Sequence, residues 1–221
     1  VHVQASQLVM PYFVIAGEGQ RERIASMPGI DRVSIDVLVR DLEKAYQTGL
    51  RNVLLFGVPE NDCKDPYGQA AASDDALVPQ AVRALRAAFG RDLWISTDVC
   101  LCPYTDHGHC GFLKNGVVQN DASLDALVAM ALAHADAGAD MVAPSDMMDG
   151  RVGAIRKALE ERSLYDVGIM AYSVKYASAF YGPFRDAADC APGMGDRKSY
   201  QMDPRWSRDA FREARSDEAE G

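Results

Sequence analysis

Five short runs of mostly apolar residues punctuate the chain: Leu8–Val14, Asn52–Gly57, Leu93–Cys100, Asp140–Pro144 and Val167–Tyr172. They are rich in Val, Ile and Leu on consecutive positions, the pattern of strands covered on both faces of a parallel sheet. Between them apolar residues recur at helical spacing. The first such stretch has Ser34 as N-cap, carries Leu38, Leu42, Ala45 and Tyr46, and stops at Gly49. Pro79 suits the first turn of a second helix carrying Val82, Leu85 and Phe89, ended by Gly90. Ser123 is expected to cap a third, which presents Leu124, Leu127, Val128, Ala131 and Leu132 and finishes at Gly138. A fourth runs over Val152–Glu161, and a last over Arg205–Glu218 puts Trp206, Ala210, Phe211 and Ala214 on one stripe.

A β-α order repeated five times predicts an α/β fold with a parallel sheet. An open doubly wound sheet fits this order, and so does part of a (β/α)₈ barrel, which needs more units than five. Both architectures hold their sites at the C-terminal ends of the strands. Phe56, Asp98, Cys100, Ser145 and Lys175 fall there. Two connections stand out. The loop from Cys102 to Asp121 contains Asn115-Gly116, a tight-turn signal for a small hairpin. Residues 182–203 have no periodicity, and a long structureless stretch inside a compact domain predicts a lid or binding loop.

With 48% hydrophobic and 25% charged residues, the 221-residue chain has the composition of one soluble domain. No stretch approaches the roughly 18 apolar residues of a membrane helix, and no secretory leader is recognisable, so the expected location is cytoplasmic. A net charge of −9 without a basic stripe argues against nucleic acid and anionic membranes as partners. The five cysteines are an odd number with three of them between 100 and 110, which points away from a disulfide framework and towards metal or redox chemistry.

Cys100-x-Cys102 followed by x₇-Cys110 offers three soft ligands and leaves a fourth tetrahedral position open, the pattern of an open zinc site. Buried or redox-paired cysteines, or a closed structural zinc with His107 or His109 as ligand or second partner, fit the same residues. Cys63 and Cys190 receive no role. Lys175, at the end of an apolar strand, suits a desolvated amine of lowered pKa that forms a Schiff base with a ketone; a structural lysine paired with Asp146 or Asp186 fits equally. Arg185, Arg197, Lys198 and Gln201 gather donors suited to a carboxylate in the 182–203 segment, or make surface ion pairs. Ser145-Asp146 either bonds a substrate or caps the following helix.

Seven segments in order carry a resemblance to a known family. They are Ser26-Met-Pro-Gly-Ile, Leu55-Phe-Gly-Val-Pro, Asp98-Val-Cys-Leu-Cys-Pro-Tyr-Thr, His107-Gly-His-Cys-Gly, Ala143-Pro-Ser-Asp-Met-Met-Asp-Gly-Arg, Lys175-Tyr-Ala-Ser-Ala-Phe-Tyr-Gly-Pro-Phe-Arg-Asp-Ala and Gly195-Asp-Arg-Lys-Ser-Tyr-Gln-Met-Asp-Pro. Together they resemble the porphobilinogen synthase (5-aminolevulinate dehydratase) family along nearly the whole chain. The resemblance implies a TIM barrel and a lyase that joins two 5-aminolevulinates into porphobilinogen on the route to haem. Lys175 matches the Schiff-base lysine for the first substrate, and Arg185, Arg197 and Gln201 the groups that hold its carboxylate under a lid. Asp98 and Ser145 match residues at its amine, and Phe56 lines the pocket. Cys100, Cys102 and Cys110 match the thiolates of a catalytic zinc, and Glu213 the ligand of an outer magnesium.

The same resemblance implies a homo-oligomer, octameric in the family. The family's second lysine lies in a Met-Val-Lys-Pro motif beyond the position of Gly221. The expectation is therefore a single domain over 1–221 with about the first five βα units of the barrel. A catalytically incompetent fragment, or a zinc-binding homologue that assembles with a partner chain, is the alternative. A single-lysine aldolase fits Lys175 but leaves the three cysteines unexplained.

Overall fold

The computed structural model describes residues 2–221. Its main sheet has seven strands: β1 (Val9–Ile15), β2 (Arg21–Arg23), β3 (Asp31–Ser34), β4 (Asn52–Gly57), β5 (Trp94–Val99), β8 (Met141–Pro144) and β9 (Gly168–Ile169). A separate hairpin pairs β6 (Phe112–Lys114) with β7 (Val117–Gln119). The sheet order is β2-β3-β1-β4-β5-β8-β9, parallel throughout except for β2 against β3. Helices α1 (Ile35–Gln47), α2 (Leu77–Phe89), α3 (Asn120–Asp136) and α4 (Arg151–Glu161) follow β3, β4, the hairpin and β8. Beyond β9 come the short α5 (Gly182–Ala187) and then α6 (Ser207–Glu220).

The consecutive apolar residues divide by period two between two cores, as strands covered on both faces must. Val14, Val53 and Leu55 pack with Leu38, Leu42, Val82 and Leu85 from α1 and α2. Phe13, Leu54 and Phe56 point to the other side, where they meet Val99, Cys100, Val142 and the inner residues of α3 and α4. The register sets Phe13 beside Phe56, and their rings stack with centroids 5.3 Å apart.

The expected hairpin is present, and Asn115 and Gly116 both take positive φ, as its two-residue turn requires. Four expectations change. Strands β2 and β3 escaped notice because Arg21–Arg23 and Asp31–Ser34 are polar; cross-strand pairing of Arg32 with Glu22 and contacts to β1 make them strands. Ser34 stands at the N-cap of α1 without capping it, since its hydroxyl bonds Asp36 and accepts from Gln20 N. Ser123 lies inside α3, fully buried, donating to Gln119 O and accepting from Phe112 N. The stripe on the last helix faces outward: Trp206 and Phe211 are exposed, while the helix docks on α4 through buried Asp217, paired with Arg151 at 3.3 Å, and Glu220, which accepts from Gly153 N.

One buried group in this scaffold carries a pH signature. His134 of α3 is fully buried, with Nδ1 3.0 Å from the Thr97 hydroxyl of β5 and no partner for Nε2 among the described residues. Burial pushes its pKa down to about 3. The unfolded chain takes up a proton below roughly pH 6.5 that the folded chain refuses, so this group costs stability as pH falls from there towards 3. His134→Gln keeps a donor near Thr97 and removes the titration. In urea melts, the wild-type protein is expected to lose about 2 kcal/mol relative to the variant between pH 7 and pH 5. Equal losses would show that folded His134 protonates freely.

Candidate active site

The C-terminal ends of the parallel strands converge on a small enclosed cavity of about 80 Å³. Phe56 comes from the end of β4, Asp98 from β5, Cys102 from the turn after β5, Ser145 from the residue after β8, and Lys175 from the extension of β9. That extension continues the ladder beyond Ile169: Met170 N donates to Val142 O and Tyr172 N to Pro144 O. Residues 182–203 supply the cover, with Phe184, Arg185, Cys190 and Arg197 facing the same space.

The three expected thiols do meet. The Sγ atoms of Cys100, Cys102 and Cys110 all lie within 4.8 Å of one another, buried, and Cys100 and Cys102 approach to 3.3 Å. This group can hold a metal ion: three soft donors within ligand range, enclosed away from water, suit a thiophilic cation. Burial, then the neighbouring thiols, push the Cys100 thiol up. Neither histidine belongs to this three-thiol group. His109 is bonded through Nδ1 to the Tyr200 hydroxyl and through Nε2 to Met194 O, and His107 through Nε2 to Pro66 O and Nδ1 to His109 N.

Lys175 is buried, and its ammonium donates to Ser145 O at 2.7 Å, with the Tyr181 and Tyr172 rings 5.5 and 5.7 Å away. The structural alternative for it is not seen: Asp146 faces Arg151 and Asp186 bonds Ser26, and Lys175 has no ion pair among the described residues. Its electrostatics correct the sequence expectation of a lowered pKa. Burial pushes the ammonium down, but the sulfurs of Cys110, Cys100 and Cys102 once ionised, and the Asp98 carboxylate, outweigh it and hold the pKa above the ordinary lysine value. Local apolar sequence around Lys175 revealed the burial and not the distant sulfurs.

Asp98 is lifted to about 6 by burial, opposed by a hydrogen bond from Ser145 and the Lys175 charge, and its Oδ1 has no partner among the described residues. Ser145 is thus a member of the cavity and not a helix cap, since α4 is capped at Gly150. Arg197 is buried and donates to Gly108 O at 2.9 Å and to Cys190 O, and the Nε atoms of both Arg185 and Arg197 have no partner among the described residues. Gln201 and Glu213 line a larger cavity of about 450 Å³ with Asp149, Tyr200 and Arg212. Gln201 precedes Met202, whose N donates to Lys175 O. Lys198 is on the surface, paired with Asp196.

The segment over the cavity is packed where the sequence suggested a structureless loop. Its first turn and a half form α5, opened by Pro183. Phe184 sits edge-on to both Phe56 and Phe13, at 4.8 and 5.3 Å. Arg32 donates to Ala187 O, Lys64 pairs with Asp189 at 2.8 Å, and Gly193 N donates to His107 O. At Gly108, whose φ is +70°, a Cβ would collide with the Ala191 carbonyl, so only glycine allows this closeness. Tyr172, Tyr181, Phe184 and Cys190 also line the cavity; Tyr181 and Phe184 lie inside the Lys175–Ala187 motif, which drew attention only to Lys175 and Arg185.

A buried lysine beside three clustered thiols that could hold a metal ion, at the C-terminal edge of a parallel sheet, defines an α/β protein with a preformed cavity at its strand ends. The sequence model of the delta-aminolevulinic acid dehydratase family matches residues 1–221, and the chain belongs to that family. Delta-aminolevulinic acid dehydratase of Halalkalibacterium halodurans is 49% identical over 214 residues, covering 97% of this chain and 64% of that protein. The Staphylococcus aureus protein of the same name is 47% identical over the whole chain, which covers 68% of it. The crystal structure of the enzyme from Toxoplasma gondii ME49, in complex with the reaction product porphobilinogen, superposes with a TM-score of 0.96 at 43% identity. It covers all of this chain, which spans 63% of the Toxoplasma chain. No helix among the described residues is long and apolar enough to cross a membrane.

The cover depends on Phe184 filling the space above Phe13 and Phe56. Phe184→Ala removes that contact and is expected to cost roughly 1–3 kcal/mol of local stability. Limited trypsin digestion should then cut after Arg185, Arg197 or Lys198 about tenfold faster than in the wild-type protein, and Phe184→Leu should restore part of the protection. Unchanged cleavage would show that the cover is held by the Arg32 and Lys64 contacts alone.

Proposed function

We propose that these residues form about the first five βα units of an eight-unit barrel whose site condenses two 5-aminolevulinates to porphobilinogen, releasing two waters. The observation that carries the reading is Lys175: a buried amine at the edge of a parallel sheet, facing the same cavity as the three-thiol group. Five parallel strands, β1, β4, β5, β8 and β9, stand side by side in chain order, and the chain spans 63% of the product-bound Toxoplasma protein. Membership of the family supports the chemistry.

In this reading the neutral Lys175 amine attacks the ketone of the first substrate, and loss of water leaves a Schiff base. Asp98, with a free carboxylate oxygen and a pKa near 6, accepts and returns protons at the new C–N bond, and Ser145 orients it. Arg185 and Arg197 hold the substrate carboxylate, and Phe56 and Phe184 exclude water from the imine. Gln201, on the 182–203 segment that acts as the lid, adds a donor to the same carboxylate. Cys100, Cys102 and Cys110 hold zinc. When bound, the zinc supplies a Lewis acid for the second substrate and cancels much of the thiolate field that keeps Lys175 charged.

Glu213 is proposed as the ligand of an outer magnesium. Its support is its place in the larger cavity near Asp149, where burial and then that carboxylate raise its pKa. Exposed Trp206 and Phe211 support association with further protein surface, as in a homo-oligomer. The second reading, a non-catalytic segment that binds metal and one substrate, is favoured by one observation: Lys175 is the lysine lining the cavity, and no other residue there is a Schiff-base former.

Two measurements test these assignments. Metal analysis after dialysis should find one zinc per chain, lost in Cys102→Ala and retained in Cys63→Ala; retention of full stoichiometry by Cys102→Ala would remove the three-thiol assignment. Borohydride added with 5-aminolevulinate should trap one adduct, at Lys175 and not at Lys157 or Lys198, without pyrrole formed by the 221-residue chain. Robust pyrrole synthesis by that chain would overturn the need for a second lysine, and an unlabelled Lys175 in folded, zinc-loaded protein would overturn its covalent role.

A further inference from the structure

Arg151 is the first residue of α4, and only 2% of its side chain is exposed. A buried cation at a helix N-terminus works against both desolvation and the helix dipole, so its neighbours have to offset that cost. Two of them are carboxylates. Asp217 Oδ2 accepts from Nη2 at 3.3 Å, and the fully buried Asp146 holds Oδ2 3.8 Å from Nε. Two more are backbone carbonyls: Nη1 donates to Met148 O at 3.2 Å and Nη2 to Tyr172 O at 3.3 Å. These carbonyls belong to different strand ends, Met148 to the turn after β8 and Tyr172 to the extension of β9.

The same two ends carry the two halves of the Lys175 contact. Ser145 opens the turn after β8, and its carbonyl accepts from Lys175 Nζ at 2.7 Å; Lys175 follows Tyr172 on the β9 extension. The turn is not a relaxed one. Met147 has a φ of +70°, a left-handed conformation that side chains resist, and Met148 N donates to Asp146 Oδ1 at 2.8 Å. The backbone ladder between the two ends stops at Tyr172 N to Pro144 O, 2.9 Å. Arg151 supplies the next tie between them.

We propose that Arg151 is a positioning residue for Lys175: its guanidinium fork binds the two strand ends together and so fixes the Lys175 amine against the Ser145 carbonyl. This rests on the covalent reading of Lys175 in the preceding section. Asp146 and Asp217 hold the fork from opposite sides, Asp146 within the strand-end turn and Asp217 from α6. A lysine in its place keeps the charge but, as a single point of donors, cannot span both carbonyls as a planar fork does. Moving the amine by about 1 Å from its line of attack is enough to slow a positioned reaction strongly. Arg151 does not line the cavity. Its effect therefore falls on the rate of the covalent step and not on capture of the carboxylate, which Arg185 and Arg197 hold.

The test is borohydride trapping of the Lys175 adduct across a range of 5-aminolevulinate concentrations. Arg151→Lys should cut the trapping rate at saturation about tenfold and leave the half-saturating concentration within about twofold of wild type. Asp217→Asn keeps an acceptor for Nη2 but removes the charge that seats α6; it should lower the Tm and leave the saturating rate within about twofold. Equal falls in rate in the two variants would reduce Arg151 to a structural role, as would an unchanged rate in folded Arg151→Lys. If Arg151→Lys does not fold, amide hydrogen exchange of the wild-type protein decides. The Ser145 and Tyr172 amides should exchange in one step, and exchange of Tyr172 about tenfold faster than Ser145 would show that the two ends are not held as one. Wild-type protein that yields no Lys175 adduct would overturn the covalent reading and this proposal together.

Discussion

Negative charge gathered out of water must be matched by positive charge nearby, and this constraint organises the molecule from the three thiols outward. Cys100, Cys102 and Cys110 are buried within ligand range of one another, with Asp98 on the same strand end. Lys175 and Arg197 are the cations nearest that group, each buried, and once the thiols ionise the sulfurs hold each of them charged against the effect of its own burial. Because those two cations come from the end of the last strand and from the covering segment, the charge balance also ties the ends of the fold to its middle. A lysine poised this way is a protonated ammonium until something offsets the sulfurs, which makes its reactivity a property of the whole cavity.

The apolar frame serves the same end. Phe13 and Phe56 sit side by side through the pairing of β1 with β4, and Phe184 closes over them. The result is a dry wall next to charged groups, which strengthens every electrostatic interaction inside. The covering segment is held by contacts to β3, to the Lys64 loop and to the thiol loop, so its position reports on all of them. Behind it Arg151 meets Asp146 and Asp217 in a second buried group, which seats α6 against α4.

The sequence by itself determined the five parallel strands β1, β4, β5, β8 and β9, the order of the helices and the chemistry on offer. Asn52–Gly57 was legible to the residue because four consecutive apolar positions, too few for a helix and bounded by Asn52 and Gly57, mark a strand covered on both faces. The thiol group was legible because its members lie within eleven residues of one another, and Gly90 and Gly138 marked helix ends through a conformation that side chains resist. Tertiary structure alone decided what depends on residues far apart in the chain. Strands β2 and β3 exist through pairing and not through propensity, and Trp206 and Phe211 face outward because Asp217 finds a buried arginine. Cys190 lines one cavity with Cys102, eighty-eight positions earlier, and Lys175 is raised and not lowered by sulfurs on another strand. Local patterns record which surface a segment buries; the direction in which a charge is shifted depends on everything within reach of its field, and only the folded chain brings that together.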